Sequence, residues 1–63
     1  MNAEQFEEYN AQRNHLIGME HELEGELLED VLHQKWQLAA QDEHRLGVVQ
    51  RVRRRLEDAA AHE

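Results

Sequence analysis

Four side chains in one stretch of the chain have types and spacings that could bind a metal ion. Glu22, Glu26, Glu29 and His33 follow one another at intervals of four, three and four residues, so a helix would place them on one face. Carboxylates and imidazoles form di-metal sites inside helical bundles, where Glu-x-x-His is the recurring motif. The nearest match is Asp30-Val-Leu-His33, which occurs once and has aspartate in place of glutamate. We therefore expect no metal site and interpret this face as charged and exposed to solvent.

Groups for other kinds of catalysis are scarce. The chain has no Ser, Thr or Cys, which removes the usual nucleophiles and disulfides, and it has no glycine-rich phosphate loop. Tyr9 carries the only side-chain hydroxyl, and its position among apolar residues is typical of a core or an interface. The five histidines form no recurrent motif. These features predict a protein that is not an enzyme and needs no cofactor.

The charge is uneven along the chain. The total is −7, which disfavours binding to nucleic acids and to anionic membranes, since both are polyanions. Residues 1–34 have nine acids against one base, whereas residues 35–63 have five acids against six bases. The acidic start is the reverse of a signal peptide, and no apolar run approaches the roughly 18–20 residues that a membrane span needs. We expect a cytoplasmic protein, or one within a particle assembled in the cytoplasm.

The composition predicts an all-α fold in a single domain of residues 1–63, because Glu, Leu, Ala, Gln and Arg dominate and proline is absent. Asn2 and Gln5 have the spacing of a capping box, so a first helix is predicted over about residues 3–40. Its apolar residues share one broad face and are predicted to form a core or an oligomer interface. They are Phe6, Tyr9, Leu16, Leu23, Leu27, Val31, Trp36 and Leu38.

Small residues form a second series on this helix. Ala11, Gly18, Gly25 and Ala39 fall at intervals of seven or fourteen residues. Each glycine could be a tolerated defect that costs the helix about 1 kcal/mol. Alternatively, the series lets a neighbouring helix approach closely.

A second amphipathic helix is predicted over about residues 43–61. Its apolar residues are Leu46, Val49, Val52 and Leu56. Between the two helices, Asp42 could cap the second one, or Gly47 could end the first. One continuous helix is the alternative, since the two apolar faces keep nearly the same phase.

Charge favours an antiparallel hairpin that turns near residues 41–42. Residue i would then lie near residue 82 − i, which brings the arginines of the second helix to the acidic part of the first. The predicted neighbours are Arg51 with Val31, Arg53 with Glu29, Arg55 with Leu27, and Trp36 with Leu46. Glu22, Glu26, Glu29, Arg51, Arg53 and Arg55 are thus predicted to set the register or the choice of partner.

This hairpin leaves part of the first helix without a partner. Phe6 and Tyr9 lie beyond the reach of the shorter second helix, and two helices enclose little core. Oligomerisation into a helical bundle or coiled coil would cover these residues, as would docking onto another protein. Trp36 is either an anchor of such an interface or the residue that closes the end of the hairpin.

Two functions are compatible with this architecture. The first is a non-enzymatic adaptor or assembly protein, similar to co-chaperones or to components of phage particles, which oligomerises and binds a protein partner. The second is an acidic mimic of nucleic acid, in which exposed Glu22, Glu26 and Glu29 block a basic groove on a target protein. The mimic becomes the first choice if the arginines lie away from these glutamates.

Overall fold

The chain folds into two antiparallel helices joined by a short turn. In the computed structural model, which describes residues 1–62, α1 spans Ala3–Leu32 and α2 spans Trp36–Ala61. The predicted all-α hairpin is confirmed, and the alternative of one continuous helix is excluded. The last residue of the predicted domain 1–63 lies outside the described residues. The molecule measures 47 × 16 × 10 Å, so it is a narrow rod.

The first helix begins at the predicted cap. The Gln5 backbone N–H donates to Asn2 Oδ1 at 2.8 Å, and the Asn2 backbone N–H donates to Gln5 Oε1 at 3.1 Å. This reciprocal pair satisfies two backbone donors that the first turn of a helix leaves free. Glu4 adds a favourable negative charge in the same turn.

The turn lies earlier than the sequence predicts. The predicted helix bounds of about 3–40 and 43–61 are wrong at the turn, because α1 ends at Leu32 and residues 41–42 lie inside α2. The His33 N–H donates to the Glu29 carbonyl at 3.0 Å and the Lys35 N–H donates to the Asp30 carbonyl at 2.8 Å. No glycine or proline occurs here, so the sequence lacks the residues that usually mark a turn.

Nearly equal arms explain why the chain turns at this place. α1 has 30 residues and α2 has 26, so the two helices pair over almost their whole length. A turn at residues 41–42 would leave the first half of α1 uncovered. The predicted overhang of the first helix is therefore absent, and Tyr9 and Leu16 are half-buried.

The helices meet along one face of each, which we call the seam. Its residues recur at intervals of three and four, the spacing of knobs-into-holes packing. They are Tyr9, Arg13, Leu16, Glu20, Leu23, Leu27 and Asp30 on α1, and Ala39, Asp42, Leu46, Val49, Arg53, Leu56 and Ala60 on α2.

The seam encloses very little apolar volume. Ala39 and Val49 are the only apolar residues buried within residues 1–62, and no large side chain there is fully buried. Glu20 and Asp42 are the other two buried residues, and both are acidic. A seam with this composition gives a lone hairpin little hydrophobic stabilisation.

Candidate interaction surfaces

A chain of alternating charges crosses the middle of the seam. Arg13 Nε donates to Glu57 Oε2 at 2.7 Å, and Arg53 Nη1 donates to Glu57 Oε1 at 2.9 Å. Arg53 also donates from Nε to Glu20 Oε2 and from Nη2 to Glu20 Oε1, the latter at 3.3 Å. The Arg53–Glu20 contact is therefore a two-pronged pair, the strongest geometry that a guanidinium and a carboxylate adopt.

These contacts shift the protonation equilibria of the network. The hydrogen bond from Arg13 and the charges of both arginines hold the pKa of Glu57 below its usual value, although burial opposes this shift. The hydrogen bond to Glu20 raises the pKa of Arg53, with burial again opposing. The network thus favours the ionised form of both groups.

The network sets a register that differs from the predicted one. Arg53 lies beside Glu20 rather than Glu29, so paired residue numbers add to 73 here and to 70 for Arg13 with Glu57. The predicted sum was 82. The signal in the sequence was the position of charged residues on the faces that form the seam: Arg13 and Glu20 on α1, and Arg53 on α2.

The other charged residues predicted to set the register are not brought together. Glu22, Glu26, Glu29, Arg51 and Arg55 are all exposed, and none of them forms an ion pair within residues 1–62. Arg51 Nε makes only a long contact of 3.4 Å with the Gly47 carbonyl of its own helix. Both signs of charge are therefore available on the surface.

A pair of carboxyl groups lies near the turn end of the seam. Asp42 is only 5% exposed, and its Oδ2 has no hydrogen-bond partner among the described residues. A hydrogen bond with Asp30 raises its pKa, and burial and the negative charges of Asp30 and Glu26 act in the same direction, whereas Arg45 lowers it. Nothing in the apolar pattern of the sequence identified this pair.

The predicted interface residues divide into two groups. Those on the seam are half-buried or buried: Tyr9, Leu16, Leu23, Leu27, Leu46, Val49 and Leu56. The others are exposed: Phe6, Val31, Trp36, Leu38 and Val52. Trp36 is the first residue of α2 and lies on the same helix as Leu46, so the predicted contact between them is absent.

Exposed apolar residues are concentrated around the turn. We call this group the apolar tip: Leu28, Val31, Leu32, Trp36 and Leu38, with exposures of 62, 41, 71, 63 and 47%. Trp36 and Leu38 line an open hollow together with Gln34, Lys35 and Gln37. Five large apolar side chains within eleven residues are an unusual surface for a monomer, and such patches are typical of interaction sites.

The predicted series of small residues is divided between the two helices, because Ala39 lies on α2. Ala39 is buried in the seam, whereas Ala11, Gly18 and Gly25 of α1 are exposed. A Cβ added at Gly18 or Gly25 would meet nothing within 4 Å. Within the described chain, close helix packing therefore does not account for either glycine.

Residues 1–62 contain neither a cluster of metal ligands nor a helix that could span a membrane. No group of three or more acidic, histidine or cysteine side chains there is placed to hold a metal ion. Neither α1 nor α2 combines the length and the apolar character that crossing a membrane requires.

Taken together, the fold and these surfaces define a small antiparallel helical hairpin with a charged seam and an apolar tip. Comparison with protein-family models, with curated proteins and with solved structures finds no match to this chain.

Proposed function

We propose that this chain is a non-enzymatic helical adaptor or assembly protein that oligomerises and binds a protein partner. The observation that carries the proposal is the distribution of apolar residues. The large apolar side chains of the tip are exposed, while only Ala39 and Val49 form a buried apolar core in residues 1–62. Assembly would remove the tip from water and supply the hydrophobic stabilisation that the lone hairpin lacks.

The apolar tip is the contact surface between copies in this proposal. Fully burying a large apolar side chain contributes about 1.5–3 kcal/mol, so several such residues meeting their equivalents in a second copy can hold a dimer together. The exposed charges of Glu22, Glu26, Glu29, Arg51 and Arg55 lie outside the tip and would steer the choice of partner rather than supply affinity.

Light scattering on wild-type and variant proteins tests the assembly. The double variant Leu32→Gln and Trp36→Gln replaces exposed apolar residues by polar ones that helices accept, so the hairpin should keep its helix content. We expect a discrete oligomer from the wild type and a monomer from this variant. Phe6→Gln is the matched control, since Phe6 is 53% exposed at the opposite end of α1, and it should leave the oligomer intact.

A wild-type protein that is monomeric and well folded at high concentration would contradict the proposal. Retention of the oligomer in the double variant would instead show that the apolar tip is not the contact surface between copies. Circular dichroism of every variant separates loss of assembly from loss of folding.

An acidic mimic of nucleic acid is the second candidate. Glu22, Glu26 and Glu29 are exposed and have no ion pair within residues 1–62, and neither Arg51 nor Arg55 is paired with them. The condition under which the sequence ranks the mimic first is met only in part, because Arg53, from the same basic stretch, binds Glu20 at the start of the acidic one. We rank the adaptor first, because a mimic needs no apolar tip and the exposed arginines of α2 would repel a basic groove.

Competition with DNA tests the mimic. The wild type should displace labelled duplex DNA from a basic DNA-binding protein, and Glu22→Lys with Glu26→Lys should abolish this displacement without unfolding the hairpin. Glu4→Lys with Glu7→Lys makes the same change of charge elsewhere on α1 and is the control. No displacement by the wild type across a panel of basic proteins would dismiss this function.

A further inference from the structure

The most enclosed side chain among the buried residues of the described chain is a carboxyl group without a cation beside it. Asp42 is 5% exposed, less than Ala39 at 6% and Val49 at 8%. It lies three residues after Ala39 and seven before Val49, on the α2 face that packs against α1. Its Oδ2 has no hydrogen-bond partner within residues 1–62. A buried carboxylate oxygen that lacks a donor destabilises the fold.

The groups around Asp42 are mostly negative. Asp30 is half-buried on the face of α1 that meets α2, and its number and that of Asp42 add to 72, within the register of 70 to 73 that the ion pairs define. Glu26, one helical turn before Asp30, adds a second negative charge, and Arg45, which is exposed on α2, is the one positive group acting on Asp42 among the described residues. The contrast is Glu20, the other buried acid, which Arg53 holds in a two-pronged ion pair.

Two carboxyl groups can hydrogen-bond to each other only if one of them keeps its proton. The protonated group donates its O–H, and the ionised group accepts. Two ionised carboxylates that face each other would repel one another, and the repulsion is strongest where water is excluded.

We infer that Asp42 and Asp30 form a proton-binding clasp, in which a shared proton ties the two helices together at the turn end of the hairpin. Proton uptake turns a repulsive contact into a hydrogen bond between α1 and α2. The clasp adjoins the apolar tip, since Asp30 precedes Val31 in the chain and Asp42 follows Leu38 by four residues. A fall in pH therefore strengthens the contact between α1 and α2 next to the apolar tip, the surface proposed to bind partners. This effect does not depend on the identity of the partner.

The sign of the effect follows from the direction of the pKa shift. The pKa of Asp42 is raised above the ordinary aspartate value of 3.8, first by the hydrogen bond with Asp30 and then by burial. The folded hairpin therefore binds this proton more tightly than the unfolded chain does. The destabilisation by ionised Asp42 is fully present above the raised pKa, and it is relieved as the pH falls through that value towards 3.8.

Thermal unfolding of the full chain at constant ionic strength tests the clasp. Asp42→Asn keeps the shape of the side chain and supplies a neutral donor at every pH. We expect this variant to melt several degrees above the wild type at pH 7.5, and the difference to shrink towards zero at pH 3, below the ordinary aspartate pKa of 3.8. Asp58→Asn is the control, since Asp58 is an exposed aspartate on the same helix, and its melting temperature should follow the wild type at both pH values.

Other outcomes would overturn the inference. One such outcome is an Asp42→Asn variant that is no more stable than the wild type at pH 7.5, and another is a variant more stable by the same amount at both pH values. Either result would show that a shared proton does not control the stability of the hairpin. Magnesium or calcium that stabilises the wild type at pH 7.5, but not Asp42→Asn, would show that the pair binds a cation instead. Carbon NMR of the wild type is independent of any variant: an Asp42 carboxyl that titrates at or below 3.8 contradicts the clasp.

Discussion

The turn places the backbone of Gln34 in an energetically unfavourable conformation. Its φ of 59° lies in the left-handed region, and it is the one non-glycine residue with positive φ in the described chain. Side chains with a Cβ pay about 1–2 kcal/mol there, and glycine does not. A glycine at this position would lower that cost, offset in part by the greater freedom of the unfolded chain.

We therefore predict that Gln34→Gly stabilises the hairpin by about 0.5–1 kcal/mol, measured by urea unfolding. Gln41→Gly is the control, because Gln41 is exposed inside α2 and the same change there should destabilise by about 0.5–1 kcal/mol. Equal losses from both changes would show that the turn does not require the left-handed conformation.

Glu57 should give the protein a second, opposite dependence on pH. Its pKa is held below the ordinary glutamate value of 4.5, first by the hydrogen bond from Arg13, so its ionised form stabilises the fold. That contribution is present above 4.5 and is lost as the pH falls through the lowered value. Glu57→Gln should reduce the melting temperature by a few degrees at pH 7, and this difference should shrink as the pH falls below 4.5.

The same measurement on Glu43→Gln supplies the reference, since Glu43 is exposed on the same helix and forms no ion pair within residues 1–62. A Glu57→Gln variant as stable as the wild type at pH 7 would mean that water screens the network. Surface ion pairs often contribute that little.

Within α1, the two glycines are the clearest departure from helical propensity. Gly18 and Gly25 lie in the interior of a 30-residue helix, and an added Cβ would contact nothing at either place. We predict that Gly18→Ala and Gly25→Ala each stabilise the isolated hairpin by about 0.5–1 kcal/mol. Ala11→Gly, on the same face, should cost a similar amount, and unfolding in urea measures all three.

The oligomer gives these variants a second use. If a partner helix packs closely on this face, Gly18→Ala and Gly25→Ala will weaken assembly while they stabilise the hairpin. If light scattering finds the assembly unchanged, the glycines are tolerated defects, as the first interpretation of the sequence allowed.

Helical content and the N-terminal cap could be predicted from sequence, because both depend on local signals, and the hairpin was predicted from the uneven distribution of charge along the chain. Asn2 and Gln5 cap α1 as their spacing predicts. The turn could not be placed, since it contains neither glycine nor proline and depends on Gln34 taking a left-handed conformation.

The predicted register failed for a different reason. It was chosen to bring the most acidic stretch to the most basic one, as if exposed charges controlled the pairing. The structure instead pairs charges that lie on the seam, where Arg53 contacts Glu20. Partly buried ion pairs are less screened by solvent than exposed ones, so they constrain the register more strongly. Charges on an apolar stripe were therefore the more informative signal.

At the scale of the whole molecule, Trp36 offers a direct report on assembly. It is the only tryptophan, it is 63% exposed, and it belongs to the apolar tip. If copies join at the tip, its fluorescence should shift to shorter wavelengths as the protein concentration rises, and the melting temperature should rise with it. Leu32→Gln should move both transitions to higher concentration.

Phe6→Gln again serves as the control for this dilution series and should leave both curves in place. Emission at the wavelength of a fully exposed tryptophan, at every concentration, would contradict contact through the tip.

The hollow between the free ends of the two helices has a practical consequence for such assays. It is lined by Met1 and Gln5 from the start of α1 and by Leu56 and Ala60 from the end of α2. The two helix ends therefore share one pole of a rod 47 Å long, and the apolar tip occupies the other pole. A surface tether at the N-terminus would therefore attach the hairpin by the pole opposite the apolar tip and leave the tip facing solution, and a dye placed there would lie far from the tip. Paired dyes at the N-termini of two copies would then lie about two rod lengths apart in a tip-to-tip dimer and at most about one rod length apart in a side-by-side one.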